Sequence, residues 1–437
     1  MPTVIVREYA LLTTASVPTG SLDVAQVSDS AFDWLCKENA RLQAGGAAIV
    51  QVEDRRSLRL DSYVGVIETP CGTRIEILPK SVDDSDDAPA SRRLLRRMLS
   101  ACVDVYHRES APADIETFEA PLSEWAMRHF LELLQRLVKR GVRFDYRAVQ
   151  AEERFLRGRL DLTRQLRQPP GRGHWFQIEH AVFDSDRPEN RLLRAALDRG
   201  CRLTRDAANW RPSHELAVLL SPIPASTDIS SDFRRWRVDR LLAHYQAIRP
   251  WCALVLGNET PLALAGAWHG NSLLFPMETL FERYVEVCLR RSLPPGAMLE
   301  PSPRRHHLAT HQGQRWFTLV PDFLLTIGGR QLVLDTKWKR IDSRMGNPND
   351  KYGLNQADFY QMFAYGERYL DGSGDILLVY PRTAFFNTPL PVFELGPKLR
   401  LWVTPFDLEL GVLGDVGGAN SVGEPRSQLP RGTRTAG

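Results

Sequence analysis

Three residues in the last third of the chain have the types and spacing for phosphoester chemistry: Asp322, Asp335 and Lys337. Asp322 lies in RWFTLVPDFLLTI, Asp335 and Lys337 lie in RQLVLDTKWKR, and Gly328-Gly329 separates the two stretches. Both read as β-strands, and a Gly-Gly pair between strands suits a two-residue hairpin turn. With Ile327 paired to Arg330, Asp335 falls directly opposite Asp322. Directly opposed side chains have Cβ atoms about 4.5–5.5 Å apart, where like charges destabilise a sheet. A divalent cation between the carboxylates removes that conflict, and hard, oxygen-liganded ions such as magnesium suit the pair. Lys337, two residues after Asp335, points to the same face. An ammonium there orients a water or stabilises charge growing on a phosphate. The competing reading is an ordinary Asp–Lys ion pair on a surface hairpin. The Pro321-Asp322 on the opposed strand and the inferred register weigh against it.

The elements that must hold this hairpin form a C-terminal α/β region. FPMETLFERYVEVCLRR is a predicted helix with Pro276 at its start. The two strands follow, then the amphipathic helix NQADFYQMFAYGERYL, the apolar strand DILLVYP and a further strand in LRLWVTPFDL. Upstream, AAIVQV, LRLDSYVGVIET and TRIEILPK read as strands and residues 31–42 as a short helix, so the N-terminal region is β-rich. Ser81 to Ser91 is acidic and small, an expected linker. A helical middle follows, with helices in RRLLRRMLSACVDVY, over 122–141, in NRLLRAALDRGCRLTRDA, and over 234–248 ending before Pro250. The expected organisation is α+β and multidomain: a β-rich domain over 1–86, a mainly helical scaffold over 87–267, an α/β domain with a mixed sheet over 268–413, and a disordered tail over 414–437.

Composition narrows the class. At 437 residues with 43% hydrophobic residues, the chain is long enough for two or three cores. No apolar run reaches the roughly 18 residues of a membrane span, and no secretory signal is read at the N-terminus. Six single cysteines without a CxxC pair indicate neither a zinc ribbon nor a disulfide framework, which fits the reducing cytoplasm. There is no G-x-x-x-x-G-K-[ST] loop, so no nucleotide is expected in a P-loop of this chain. His306, His307 and His311 lack metal-ligand spacing and read as part of a polar loop near nucleic acid. The basic runs at Arg92–Arg97, Arg154–Arg172 and Arg234–Arg240, interleaved with Phe155, Trp175, Phe176 and Trp236, suit either phosphate contact or solvated helix faces.

The Pro321-Asp322 and Asp335-Thr336-Lys337 spacing resembles the PD-(D/E)xK nucleases. That resemblance implies a metal-supporting role for Glu282, on the helix before the hairpin. It also implies a DNA-facing or site-supporting role for Gln361 and Tyr365, a Q-x-x-x-Y pair on one helix face as in the RecB-like branch. Along the chain, GVIETPCGTRIEILPK, FLRGRLDL, FDSDRPENRLLRAAL, METLFERYV, VPDFLL, LDTKWK and DFYQMFAYG resemble the McrC family, the nuclease subunits of McrBC modification-dependent restriction systems. The resemblance implies a PD-(D/E)xK (restriction-endonuclease-like) core in the C-terminal domain and a metal-dependent endonuclease acting on double-stranded, 5-methylcytosine-modified DNA. It also implies a McrB-like AAA+ GTPase ring that the N-terminal region docks on and stimulates. Two alternatives stand beside it: a standalone nuclease of the same superfamily, and a non-catalytic activator of a AAA+ ring.

Overall fold

The computed structural model describes residues 3–18, 20–43, 48–80, 87–103, 122–237, 242–256 and 273–414. The described residues up to Val103 and from Leu274 onward form one compact unit, and those from Leu122 to Leu256 form the other.

The first unit begins with β1 (Thr3–Arg7), β2 (Leu11–Thr13), β3 (Val24–Gln26), α1 (Asp29–Gln43), β4 (Val50–Val52), β5 (Ser57–Leu60), β6 (Tyr63–Glu68), β7 (Arg74–Leu78) and α2 (Ala88–Val103). One sheet has the order β3-β2-β5-β4, and in another β1 runs parallel to β7, which pairs antiparallel with β6. Residues 81–86 of the expected linker lie outside the described residues, and α2 starts at Ala88, inside that linker. The helix expected to open the scaffold packs instead in the first unit. Its Arg92 bonds both oxygens of buried Glu76 on β7, and its Arg96 is buried. Four arginines on one face had suggested solvation, but a buried carboxylate supplies a better partner than water for part of that face.

The second unit holds α3 (Leu122–Arg140), β8 (Asp145–Glu153), β9 (Arg159–Leu160), α4 (Leu162–Leu166), β10 (Phe176–Asp184), α5 (Pro188–Leu203), α6 (Ala207–Leu219), α7 (Ile229–Arg235), α8 (Ala243–Gln246) and α9 (Arg249–Leu256). Its helices pack around Phe130, Leu134, Leu192, Leu197 and Trp251, all buried. The antiparallel sheet β8-β10-β9 was not expected. DYRAVQAEE has no apolar alternation, because β8 leaves nearly all its residues exposed on both faces. The helix expected over 234–248 is also not formed as such. α7 ends at Arg235, residues 238–241 are outside the described residues, and Pro250 sits in the first turn of α9 instead of behind a helix end. Proline is tolerated there because first-turn N–H groups have no helical partner.

The chain returns to the first unit with β11 (Leu273–Pro276), α10 (Met277–Ser292), β12 (Met298–Pro301), β13 (His306–His311), β14 (Gln314–Leu319), β15 (Phe323–Ile327), β16 (Arg330–Thr336), α11 (Gln356–Tyr369), β17 (Gly374–Pro381), β18 (Phe393–Glu394), β19 (Leu399–Asp407) and β20 (Val412–Leu413). The mixed sheet runs β12-β15-β16-β17-β19-β18, with β20 on β19. Its middle strands β16, β17 and β19 are parallel, which is why β17 reads as a continuous apolar run. RWFTLVPDFLLTI was expected as one strand. It breaks at Pro321, which lacks the N–H a ladder requires. The part before the break, β14, pairs with β13 and not with β16. Residues 415–437 of the expected tail lie outside the described residues. Among the described residues no helix is long and apolar enough to cross a membrane.

The N-terminal strands are built into this region. β11 extends the β1-β7-β6 sheet beside β6 and leads directly into α10. Glu8, just past β1, accepts hydrogen bonds from the Lys80 backbone N–H (2.8 Å) and from Trp338 Nε1 (2.7 Å). Trp338 follows Lys337, so a carboxylate at the start of the chain fixes the end of the β16 segment. Burial pushes the Glu8 carboxyl up to about 7, against the bonds from Lys80 and Trp338 that favour its charge.

Because Glu8 holds its proton more tightly folded than unfolded, stability should fall as pH rises from about 4.5 to about 7, by on the order of 3 kcal/mol from this group. Glu8→Gln keeps an acceptor and cannot ionise. Denaturation across that window should show a shallower slope in the variant; an unchanged slope would contradict the assignment.

Candidate active site

Asp322 and Asp335 are brought together by a tight hairpin. Gly328 and Gly329 have φ of 55° and 82°. Positive φ at both central residues is the signature of a type I′ turn, which only glycine adopts freely in succession. The register then follows: Ile327 pairs with Arg330 and Phe323 with Leu334. The pairing stops at Phe323↔Leu334, one step short of the two aspartates, and the Thr336 bonds to Asp322 bring them to the same end of the strand pair. Neighbouring strands hold the two ends. The Asp322 carbonyl accepts from Ser302 N (2.8 Å), and Lys337 N donates to the Val379 carbonyl of β17 (2.9 Å).

The carboxylates have different surroundings. Asp322 Oδ2 accepts from the Thr336 backbone N–H (2.7 Å) and the Thr336 hydroxyl (2.6 Å). Asp335 is 1% exposed. Its Oδ2 accepts no directional hydrogen bond among the described residues, and its near neighbour is the Lys337 ammonium at 2.6 Å. Burial and then the Asp322 charge push Asp335 up to about 7, against the opposing pull of Lys337. Burial raises Asp322 as well, against its Thr336 bonds and Lys337. For Lys337, burial works against the charge, but Asp335, Asp322 and Asp358 outweigh it and the ammonium is held more firmly than usual.

Gln361 and Tyr365 support the lysine. Lys337 Nζ donates to Gln361 Oε1 (3.3 Å), Gln361 Nε2 donates to the Tyr365 hydroxyl (2.8 Å), and that hydroxyl donates to the Val320 carbonyl (2.8 Å). Val320 precedes Pro321-Asp322, so the chain of bonds closes a circuit around the site. Asn355 caps α11 by accepting from Ala357 N, and Met362 and Tyr365 bury the helix against Val333, Ile376 and Leu378. Asp335 alternates with Val333 along β16 and therefore faces the same side.

Glu282 lies on α10, whose Phe281 rests on Trp338 with ring centroids 5.3 Å apart. It is half-buried, and burial followed by the Asp322 and Asp335 charges pushes it up to about 7. Glu282 therefore senses the pair without joining it. Among the described residues no three His, Cys, Asp or Glu side chains converge closely enough to hold a metal ion. What is in place fits a divalent cation in chemistry: hard oxygen donors on two neighbouring aspartates, one of them buried with the Lys337 ammonium beside its Oδ2. His306, His307 and His311 lie on strand β13, not in the expected loop, because β14 pairs with them, and His306 and His307 meet Tyr369 and Thr310. Of the basic runs, Arg154 lies 4.9 Å over the Trp175 ring and Phe155 is exposed, whereas Trp236 is buried. Residue types alone did not reveal the Thr336 grip on Asp322. The hydroxyl residue Thr336 at the strand position next to Asp335, across from Asp322, is the signal that points to it.

Asp335→Asn should stabilise the metal-free protein, since it removes a buried charge that the fold tolerates poorly. The gain should grow as pH rises from about 4 to about 7 and level off above that. A melting temperature at pH 8 below that of the wild type would sink this account of the pair.

No curated protein matches the chain in sequence. In structure it is similar to a chain of the refined half-complex from the tetradecameric assembly of Thermococcus gammatolerans McrB AAA+ hexamers with bound McrC, at 20% identity and TM-score 0.66, covering 93% of this chain and 95% of that one. It is also similar to a chain of the Thermococcus gammatolerans McrBC complex, at 22% identity and TM-score 0.50, covering 67% of this chain and 88% of that one. These likenesses establish a shared fold. The family model described as McrBC 5-methylcytosine restriction system component matches residues 58–381, more than half of the 437, and the chain belongs to that family.

Proposed function

We propose that the chain is the endonuclease subunit of a modification-dependent restriction system, built on a PD-(D/E)xK core and hydrolysing phosphodiester bonds of double-stranded DNA. The observation that carries the reading is the Asp322/Asp335 pair, with Asp335 buried and Lys337 beside it, in a member of the McrBC family. A surface ion pair has no need of a second carboxylate that raises the energy of the first. A site for magnesium or another divalent cation does.

In this reading Asp322 and Asp335 hold the metal, and Glu282 supports it. When bound, such a cation neutralises charge on the phosphate and helps supply a nucleophile near neutral pH. Lys337 orients the attacking water and stabilises negative charge on the phosphoryl oxygens. Thr336 fixes the Asp322 carboxylate, and Gln361 with Tyr365 fixes Lys337. Preorganisation of this kind costs nothing at the moment of reaction.

The reading extends to a partner and a division of labour. The β-rich N-terminal region docks on a McrB-like AAA+ GTPase ring and stimulates it, the mainly helical middle is a scaffold, and the C-terminal α/β region cuts. The name of the similar assembly, McrB hexamers with bound McrC, supports that partner. 5-Methylcytosine as the modification, and the cytoplasm as the place of action, belong to the same proposal.

The test is cleavage of methylated plasmid by the full chain with a McrB-like partner, GTP and magnesium. Asp335→Asn and Lys337→Ala should each lower cleavage by about 100-fold or more, and Glu282→Gln by about tenfold. Partner GTP hydrolysis should remain stimulated in all three. An Asp335→Ala chain that cuts as fast as wild type would refute the site, and GTP hydrolysis indifferent to the chain would refute the docking.

A further inference from the structure

Between β12 and β15 the chain leaves the main sheet as a separate ribbon of β13 and β14, paired from His306↔Leu319 to His311↔Gln314. Every residue from Leu308 to Thr318 is exposed, so the ribbon buries neither face along that length. It nevertheless carries apolar side chains: Leu308 is 47% exposed, Trp316 45% and Phe317 67%. Pairing lapses at Leu308 and Phe317, and Phe317 has a φ of 58°, a left-handed conformation that bulky residues avoid. Clustered apolar exposure of this kind marks an interaction surface.

Charge decides which partner fits. From Arg304 to Val320 the sequence holds three arginines, three histidines and no acidic residue. Arg305 pairs with Glu300, but Arg304 and Arg315 are exposed and form no ion pair among the described residues. Two guanidiniums without an ion pair, on a segment that carries exposed aromatic rings and no acidic residue, suit a polyanion with apolar base edges. A two-stranded ribbon also has the width that the major groove of DNA admits, and six-residue strands reach about 20 Å.

The ribbon is rigidly aimed. The Tyr369 hydroxyl lies 2.7 Å from the Pro303 carbonyl and 2.8 Å from that of Leu319, sharing one proton between the two feet of the ribbon. Arg368 donates to the Leu308 carbonyl (2.8 Å). Both residues lie on α11, whose Gln361 holds Lys337. Val320, at the end of the ribbon, accepts the Tyr365 bond and leads into Pro321-Asp322. One helix thus positions both the ribbon and the lysine.

We propose that the β13–β14 ribbon is a DNA-gripping element. Arg304 and Arg315 contact phosphates, and Trp316 with Phe317 enters the groove. This holds the duplex against Asp322, Asp335 and Lys337. The inference rests on the nuclease reading for where the duplex is cut, but not for its binding.

The test is binding of a labelled 30-base-pair duplex to the full chain in EDTA, by fluorescence anisotropy over a salt series. Each phosphate contact contributes about 0.9 to the slope of log affinity against log salt. Arg304→Ala/Arg315→Ala should lower the slope by about 2, and the corresponding double lysine variant should restore it. Trp316→Ala/Phe317→Ala should weaken binding by about tenfold with the slope unchanged. The proposal is overturned if the wild type does not bind the duplex, or if both alanine variants bind it as the wild type does. It is equally overturned if those variants change only the oligomeric state in light scattering, which would make the ribbon a contact between copies. A chain that binds through the ribbon yet never cuts would sink the nuclease reading and leave this one standing.

Discussion

Two carboxylates face each other across the end of one strand pair, largely out of water, with a single ammonium between them and solvent. Like charges in a low-dielectric setting repel strongly, and a sheet would ordinarily avoid the arrangement. The surrounding structure over-determines it. The Gly328-Gly329 turn admits one register. β17 holds β16 from the other side, and Thr336 gives Asp322 two short hydrogen bonds. The bond circuit from Lys337 through Gln361 and Tyr365 to Val320 keeps the ammonium over the pair. A fold that sets so many contacts around an unfavourable pair is holding charge in readiness for something that neutralises it.

The N-terminal strands share in that restraint. β11 belongs to their sheet and runs into α10, which carries Glu282. Glu8 grips Trp338 immediately after Lys337. Movement of the N-terminal sheet would therefore act at two points of the site: the helix of the third carboxylate and the end of the lysine strand. For a subunit whose N-terminal region docks on a motor, as proposed, this is a direct mechanical connection from dock to cutting centre.

The site was far more legible in the sequence than the fold around it. A two-glycine turn fixes a register, and a register places every side chain on the pair, so Asp322, Asp335 and Lys337 could be set together without coordinates. The four-residue spacing of Gln361 and Tyr365 likewise gave a shared helix face, and the two are hydrogen-bonded. What stayed hidden depends on contacts distant in sequence or on strands without a buried face. Glu8 and Trp338 are 330 positions apart, and no local pattern links them. β8 carries no alternation because it is exposed on both faces. α2 looked like a solvated arginine helix until Glu76 was seen beneath it. Glu282 was expected at the metal on resemblance, and its carboxylate feels the aspartates without converging on them.

The central claim is that Asp322 and Asp335 form a divalent-cation site, and titration of manganese into the full chain tests it most directly. Calorimetry in two buffers of different ionisation enthalpy reads binding and proton release together. Because Asp335 is held up to about 7, metal uptake at neutral pH should expel a fraction of a proton per ion. Both the binding and the proton release should vanish in an Asp322→Asn/Asp335→Asn chain. Equal manganese uptake by the wild type and the double variant, or none by either, would contradict the account.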